Sequence, residues 1–338
     1  MTRAGGWTRV GSRGRFRYLD ARGNEITDEP TLERIRALVI PPAWREVRIS
    51  PRPSAKIQAT GIDRAGRRQY IYNPDFRAAQ EQAKFDRLVR FGERLPELRS
   101  AMAEHMSLDP LEREWVSALA LRLINVGWFR VGTERYAKRF KTFGITTLRK
   151  SHVSVHGKRI IFRFRSKHRA WVHAAVVDAE LAAAMRDLKE IPGGRRLFRY
   201  RLNGDLYNLT GRTLNEYVAR YLGDDFTAKD FRTWGGTLIA SIALAERGVA
   251  DSETEGKRVI AGVMRTVGDR LGNTPAVARA SYVSPAVVEQ YLDGRTIDDF
   301  RPRHLRVVGA RDTGLDPEEM ALLSLLRSWR IRRAREAA

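Results

Sequence analysis

The chain has 338 residues with a hydrophobic fraction of 43%, enough for one large domain or two of moderate size. It has no cysteine, which excludes disulfides, thiolate metal sites and cysteine nucleophiles, and no apolar run reaches the roughly 18 residues of a membrane span. Its 62 Lys and Arg against 40 Asp and Glu give a formal net charge of +22, so nucleic acid is the expected partner. Charge alone leaves open a ribosome-associated or merely basic protein. The N-terminus has no apolar secretory segment, and we expect a cytoplasmic protein.

The first 90 residues are predicted to form a small β-rich, DNA-binding domain. Two strands, 55–62 and 68–73, are separated by a short turn. The second strand carries Gln69, Tyr70 and Tyr72, and glutamine can pair with two atoms of adenine, so this strand is a candidate groove reader. An ordinary hairpin with its tyrosines in the core is the alternative.

Residues 91–338 are predicted to form a mainly α-helical domain, because apolar residues recur there at spacings of three and four. Helical patterns or caps indicate helices at 32–38, from Phe76 to about Leu95-Pro96, at 111–126, at 210–222, from Thr227 onward, and through Val259–Val267. A β-hairpin interrupts them, with strands 153–155 and 159–165. Because side chains alternate along a strand, the second strand has arginines on one face and phenylalanines on the other. Lys167 follows the arginines at the same two-residue spacing.

The stretch 271–291 carries the candidate nucleophile. Gly272 closes one helix, Thr274 before a proline opens a short new one, and Ser284 opens the next in the same way. Tyr282 is therefore predicted at a joint between two short helices, near N–H groups that favour a phosphate. A tyrosine at helical spacing is more often part of a core, and only the rest of the chain makes the catalytic interpretation preferable.

Transesterification of a phosphodiester needs a nucleophile, positive donors for the phosphorane and an acid for the leaving oxygen. A tyrosine hydroxyl is only about 10⁻³ ionised at pH 7, so cations around the phosphate are needed to favour the phenolate. Arg130, in a glycine-bracketed turn, together with Lys167, Arg232 and Tyr282 could meet these needs without metal. Residue type alone would make this a weak signal.

The local sequences around these residues make the signal strong. They are WFRVG around Arg130, the hairpin that ends in Lys167, KDFRTWGG around Arg232, and LGNTPAVARASY ending in Tyr282. Together with the N-terminal IPPAW, ATGIDRAGRRQYIY and KFDRLVRFGERLPELR, they resemble the type IB DNA topoisomerases, specifically the short poxvirus-like branch found in bacteria. The resemblance runs from about residue 7 to residue 291.

The resemblance implies a role for each matching residue. Tyr282 would form a 3′-phosphotyrosyl link, Arg130 and Arg232 would hold the scissile phosphate, and Arg130 would also assist departure of the 5′ oxygen. Lys167 would be the general acid, and Asn273 stands where many relatives have histidine. The implied DNA contacts are Arg67, Gln69, Tyr70, Tyr72, Tyr136 and Lys229.

The resemblance also implies the fold and the reaction. The fold would be α+β, with a mainly helical catalytic domain of the type IB topoisomerase and tyrosine recombinase kind and an inserted hairpin. One chain, as a monomer, would clamp duplex DNA, cut one strand, allow rotation and reseal, without ATP, metal or other cofactor. We therefore expect a nucleoid-associated enzyme with no membrane partner.

Two departures from the family pattern accompany this interpretation. Serine rather than glycine precedes Lys167. Asn273 can donate one hydrogen bond to a phosphate oxygen but cannot carry charge, and it could also only cap its helix.

Three other functions are less consistent with the sequence than a topoisomerase. Tyrosine recombinases share the chemistry, but they usually have histidine three residues before the second arginine, where this chain has Lys229, and their N-terminal domains are helical. A non-catalytic basic DNA-binding protein would need the tyrosine and the three cations to be accidental. A metal nuclease is poorly supported, and we assign no histidine to a metal.

Overall fold

The chain folds as two units, Met1–Lys84 and Phe85–Ala338. The computed structural model describes residues 6–12, 15–167, 170–301 and 314–336. The first unit is rich in strands and the second is mainly helical, so the predicted α+β class is confirmed.

The first unit is built on an antiparallel sheet whose described strands are ordered β2-β1-β3-β4-β5. The strands are β1 (Trp7–Ser12), β2 (Arg15–Leu19), β3 (Arg45–Ile49), β4 (Ile57–Ile62) and β5 (Arg68–Tyr72). Helix α1 (Glu29–Ala37) begins after Asp28, whose carboxylate accepts the Thr31 N–H at 3.0 Å. The buried core of this unit contains Ile35, Val47, Ile49 and Ala59.

Strands β4 and β5 are the two strands predicted at the end of this unit. Helix α1 starts three residues before the predicted helix, because Asp28 caps it and Pro30 fits its first turn. The proline-rich connector before Trp44 brings that indole onto β4: a Cβ on Gly61 would lie 2.6 Å from the Trp44 ring. The glycine is therefore needed for this close approach.

Helix α2 (Pro74–His105) continues through Pro96, so the prediction that it ends near Leu95-Pro96 is wrong. Proline inside a helix costs about 3 kcal/mol, because it removes one N–H and crowds the carbonyl four residues back. Leu95 and Leu98, on either side, are both 0% exposed. Burying a leucine side chain contributes about 1.5–3 kcal/mol, so this packing offsets the proline.

The described part of the second unit contains the remaining α-helices and three short 3₁₀ helices, Ile145–Thr147, Lys150–His152 and Ile297–Phe300. The α-helices are α3 (Arg113–Gly127), α4 (Glu134–Phe140), α5 (Ala179–Glu190), α6 (Gly211–Leu222), α7 (Asp230–Arg247), α8 (Glu253–Leu271), α9 (Pro275–Ser281), α10 (Pro285–Leu292) and α11 (Pro317–Glu336). Helices α3 and α7 are buried over most of their length and form the centre of the core. Phe91 of α2 packs edge-on against Phe231 of α7, with ring centroids 5.1 Å apart.

Two predicted helix starts in this unit, at Thr210 and Thr274, are confirmed by side-chain caps, whereas Ser284 precedes α10 as predicted but makes no side-chain cap bond. Thr210 accepts the Thr213 N–H at 3.1 Å ahead of α6. The prediction that Thr227 opens α7 is wrong, because the helix begins at Asp230. The Asp230 carboxylate accepts both the N–H and the hydroxyl of Thr227, at 2.8 and 2.9 Å, so the threonine hydroxyl is not available to cap the helix.

The predicted hairpin is confirmed, but it belongs to a larger sheet. Strands β6 (Val153–His156), β7 (Arg159–Arg165) and β8 (Trp171–Val177) pair antiparallel in that order, and β9 (Arg199–Leu202) pairs with β10 (Asp205–Asn208). Phe162 and Phe164 are buried, whereas Arg163 and Arg165 are exposed, as period two predicts. Strand β8 was not predicted, since its alanines and valines show little polar alternation.

Helix α11 is tied to α2 and α7 through one buried carboxylate. Glu319, only 3% exposed, accepts two hydrogen bonds from Arg99, at 2.7 and 2.8 Å, and one from the Trp234 indole N–H at 2.9 Å. The basic C-terminal stretch is helical to the end of α11, and within it the buried Trp329 donates its indole N–H to Glu289 at 2.7 Å. None of the helices in the described ranges is both long and apolar enough to span a membrane.

Candidate active site

Tyr282 lies at the joint between α9 and α10, as predicted. Its carbonyl oxygen is 3.1 Å from the hydroxyl of Thr237, a buried residue of α7, and that hydroxyl also accepts the Ser284 N–H at 3.1 Å. A Cβ on Gly236 would lie 2.8 Å from the Tyr282 carbonyl oxygen and 2.9 Å from its Cβ. The backbone of Tyr282 is thus seated directly on α7.

Arg232, in the first turn of α7, is 4% exposed and lies beside the phenol. Its Cζ is 5.0 Å from the centroid of the Tyr282 ring. Its Nη2 donates to the Leu271 carbonyl at 2.7 Å, and its Nη1 donates to the Trp128 carbonyl. Two backbone carbonyls therefore fix the guanidinium against Tyr282.

Arg130 reaches the same cluster from the loop after α3. Its Nη2 donates to the Gly272 carbonyl at 2.9 Å and to Asn273 Oδ1 at 2.5 Å. Burial, together with the positive charge of Arg232, lowers the pKa of Arg130 to about 10. The loop is fixed from behind, because the Ile145 N–H donates to the Arg130 carbonyl at 2.8 Å.

Asn273 connects the two arginines. Its Oδ1 accepts from Arg130, and its Nδ2 donates at 3.2 Å to the Leu271 carbonyl, which also accepts from Arg232. From the sequence, this amide is expected to donate to a phosphate oxygen. The structure places it against Arg130 and the backbone, and donation to a phosphate stays a prediction.

The positive charges of the cluster act on the phenol. Burial alone would raise the pKa of Tyr282, but the charges of Arg232, Arg130 and Lys229 outweigh burial and hold that pKa below its ordinary value. Lys229 is exposed and immediately precedes α7. The cluster therefore favours the phenolate form that a nucleophile needs.

Lys167 follows β7, outside this cluster of contacts. It is exposed, and the preceding Ser166 is buried and donates its N–H to the Ala170 carbonyl at 2.8 Å. The ammonium of Lys167 makes no hydrogen bond or ion pair with the residues that the structure describes. The structure thus brings four of the five predicted catalytic residues together and leaves the fifth at the end of a hairpin strand.

Comparison with known proteins decides the family. The family model described as "Eukaryotic DNA topoisomerase I, catalytic core" matches residues 73–298, more than half of the chain, and "Bacterial DNA topoisomerase IB, N-terminal domain" matches residues 15–63. This chain belongs to the type IB DNA topoisomerases.

Named relatives agree with this assignment. The chain is 32% identical over 285 residues to DNA topoisomerase 1B of Acanthamoeba polyphaga mimivirus, covering 82% of this chain and 84% of the relative. It is 22% identical over 250 residues to DNA topoisomerase 1B of Vaccinia virus (strain Copenhagen), covering 70% and 73%. DNA topoisomerase I of Monkeypox virus matches to the same extent. These relatives favour the topoisomerase interpretation over the recombinase alternative.

The predicted DNA contacts of this topoisomerase are partly engaged within the protein. In the first unit, Asp63 accepts hydrogen bonds from Arg67 Nε at 2.7 Å and from Gln69 Nε2 at 2.8 Å, and these bonds hold the pKa of Asp63 well below its usual range. Tyr70 and Tyr72 are exposed and stack on each other, with ring centroids 6.2 Å apart. In the second unit, Tyr136 and Lys229 are exposed.

Three of the four groups that hold the two arginines are backbone carbonyls, and these were not predicted. One of them belongs to Trp128, which has a left-handed φ of 48°. A signal was present in the glycine pair of α7: a Cβ on Gly235 would lie 2.3 Å from Trp128 Nε1, and Gly236 makes room for Tyr282. Glycine inside a helix costs about 0.5–1 kcal/mol relative to alanine, so two in succession indicate close approach of another segment.

No group of three or more His, Cys, Asp or Glu side chains that could hold a metal ion occurs within the described residues.

Proposed function

We propose that this type IB topoisomerase relaxes supercoiled duplex DNA by attack of Tyr282 on a phosphodiester. The attack forms a 3′-phosphotyrosyl bond and frees a 5′-hydroxyl strand, which rotates and then reseals by attacking the same phosphorus. The phosphotyrosyl bond keeps the energy of the broken linkage, so no nucleotide is consumed. The observation that carries the proposal is the packing of Arg130 and Arg232 around the Tyr282 phenol.

The partners of these two arginines support a phosphate-binding role. Arg130 and Arg232 donate to carbonyl oxygens and to the amide of Asn273, and none of these partners carries a negative charge. Both guanidinium groups therefore keep their full positive charge for a phosphate. Preorganised donors of this kind typically contribute 10²–10³ in rate each, or about 2.7–4 kcal/mol.

The same charges support Tyr282 as the nucleophile. The lowered pKa of its phenol increases the phenolate fraction above the roughly 10⁻³ of a free tyrosine at neutral pH. The backbone of Tyr282 is fixed against α7 through Gly236 and Thr237. A fixed nucleophile with a reduced cost of ionisation is what in-line attack requires.

We assign the general acid to Lys167. The 5′ oxygen leaves as an alkoxide unless it is protonated, and an exposed ammonium two residues beyond a strand anchored by Phe162 and Phe164 can reach a bound duplex. Asn273 completes the proposed site as the partner of Arg130.

We further propose that one chain acts on one duplex, as a monomer, in the nucleoid. Arg67, Gln69, Tyr70 and Tyr72 would contact the grooves from the first unit, and Tyr136 and Lys229 would contact phosphates from the second. The net charge of +22 supports binding to a polyanion of this size.

The proposal is tested with supercoiled plasmid in EDTA and without ATP. The wild-type enzyme should give a ladder of relaxed topoisomers and, on denaturing gels, a covalent protein–DNA adduct. Tyr282→Phe should bind DNA but give neither. The matched control is Tyr291→Phe in the next helix, which should retain the adduct. An adduct formed by Tyr282→Phe, or a strict requirement for magnesium in cleavage, would contradict the mechanism.

A further inference from the structure

A second basic cluster surrounds a cavity of about 230 Å³ in the second unit. Five cationic side chains line it: Lys138, Lys141, Arg149, Arg195 and Arg196. Glu134 is the acidic residue among the lining residues, and Phe143 is the aromatic one. None of these residues belongs to the cluster around Tyr282.

Two of the arginines lie at directly paired backbone positions. Arg149 and Arg196 are paired across an antiparallel β-bridge, and like charges in that position destabilise the pairing. Arg196 is anchored at the base of the cavity by an ion pair with Glu134 and a 3.0 Å hydrogen bond to the Thr146 carbonyl. Burial lowers the pKa of Arg196, as expected for a cation withdrawn from water.

The other four cations have no acidic partner among the described residues. The guanidinium of Arg149 lies over the Phe143 ring, 5.1 Å from its centroid, and this arrangement orients the cation without neutralising it. Lys138, Lys141 and Arg195 are exposed at the rim. Among the lining residues Glu134 is the one acid against five cations, so an anion of several charges bound beside them would relieve their mutual repulsion.

We propose that this cavity is a second phosphate-binding site, which takes two or more neighbouring phosphate groups. Those phosphates could belong to the DNA backbone beyond the cleavage site or to a free inorganic polyphosphate; the DNA source rests on the proposed function. The cavity wall is continuous with the active-site loop. The Phe143 N–H donates to the Arg165 carbonyl at 2.7 Å, and two residues on, the Ile145 N–H donates to the Arg130 carbonyl at 2.8 Å.

The first experiment, with DNA, measures binding rather than cleavage. Lys138→Ala and Arg195→Ala are made in the Tyr282→Phe background, and duplex affinity is measured over a range of salt concentrations. Each variant should bind a long duplex more weakly, with a log–log salt slope smaller by about 0.9 for each phosphate that the protein no longer neutralises. The matched control is Lys257→Ala, an exposed lysine already paired with Glu253 at 2.6 Å, which should change neither quantity. Shortening the duplex should abolish the difference between variants and parent.

The polyphosphate arm uses inorganic tripolyphosphate without DNA. If free polyphosphate is the ligand, tripolyphosphate raises the melting temperature of the wild-type protein, and Arg195→Glu removes that increase. A change in duplex binding alone assigns the site to the DNA backbone. Unchanged duplex binding in both alanine variants, combined with no effect of tripolyphosphate, overturns the proposal. Because neither readout needs strand cleavage, failure of Tyr282 as nucleophile would be recognised separately, by the missing adduct.

Discussion

Asn273 makes two hydrogen bonds that link the active-site arginines. It accepts from Arg130 and donates to the Leu271 carbonyl, which also holds Arg232. Its effect on the reaction would therefore pass through the position of Arg130, in contrast to the direct phosphate contact expected from the sequence. The two roles differ in which form of the side chain is useful, because one needs an acceptor and the other a donor.

The acceptor role predicts a defined response to substitution. Asn273→Ala should slow single-turnover cleavage by about 10- to 100-fold, the equivalent of a charge-assisted hydrogen bond of about 1.5–3 kcal/mol. In an Arg130→Ala background the same change should have almost no further effect. Additive losses in the double variant would show that Asn273 acts independently of Arg130.

Asn273→His separates the roles by pH. Neutral imidazole can accept from Arg130, whereas imidazolium cannot and repels it, so the cleavage rate should rise as pH increases through the histidine pKa. Neighbouring arginines should place that pKa below the usual 6.5 or so. A rate that instead falls with increasing pH would favour direct donation to the phosphate.

At the scale of elements, much of the catalytic unit could be predicted because its signals are local. Gly272 ends α8, Thr274 caps α9, and the hairpin strand β7 separates basic and aromatic faces, all as expected. Helix α2 continues through Pro96 because burial in the folded protein outweighs the cost of a proline inside a helix. That burial could not be predicted from the residues near Pro96 alone. The carbonyls that hold Arg130 and Arg232 could not be predicted either, since every residue has a carbonyl and only the fold selects which ones are used.

The hairpin gives a prediction for Lys167. Lys167→Ala should cleave ordinary DNA slowly but recover most of its rate on a substrate whose 5′ bridging oxygen is replaced by sulfur, because a thiolate leaves without a proton. The control is Lys158→Ala, at the exposed turn between β6 and β7, which should resemble wild type on both substrates. If Lys167→Ala were equally slow on both, the lysine would be a phosphate contact and not an acid.

At the scale of the whole catalytic unit, Glu319 joins its first and last helices. The carboxylate binds Arg99 of α2 and Trp234 of α7 from its own position on α11. Trp234 directly precedes the glycines that seat Trp128 and Tyr282, and a Cβ on Gly92 would lie 2.5 Å from its ring. The C-terminal helix therefore supports the helix on which the active site is built.

Removing one partner of the ion pair between Arg99 and Glu319 should destabilise the protein. Glu319→Ala leaves the largely buried Arg99 charge without its acidic partner and should reduce the free energy of unfolding by about 3–5 kcal/mol, measured by urea denaturation. Arg99→Met combined with Glu319→Leu should lose less than Glu319→Ala alone, because no uncompensated charge remains. A single variant as stable as wild type would mean that water and the neutral partners of Arg99, the Gly314 carbonyl and the Asn125 side chain, compensate its charge.

The neutral partners of Arg130 and Arg232 have a kinetic consequence. Carbonyl groups do not compete with a phosphate for the two cations, so on the proposed mechanism the phosphotyrosyl group stays bound by the same pair that held the intact strand. Resealing then starts from a site that needs no rearrangement. The number of turns released in one opening then depends on the rate of resealing relative to the rate at which torque rotates the free strand. A tightly wound plasmid should therefore lose more turns per opening than a weakly wound one.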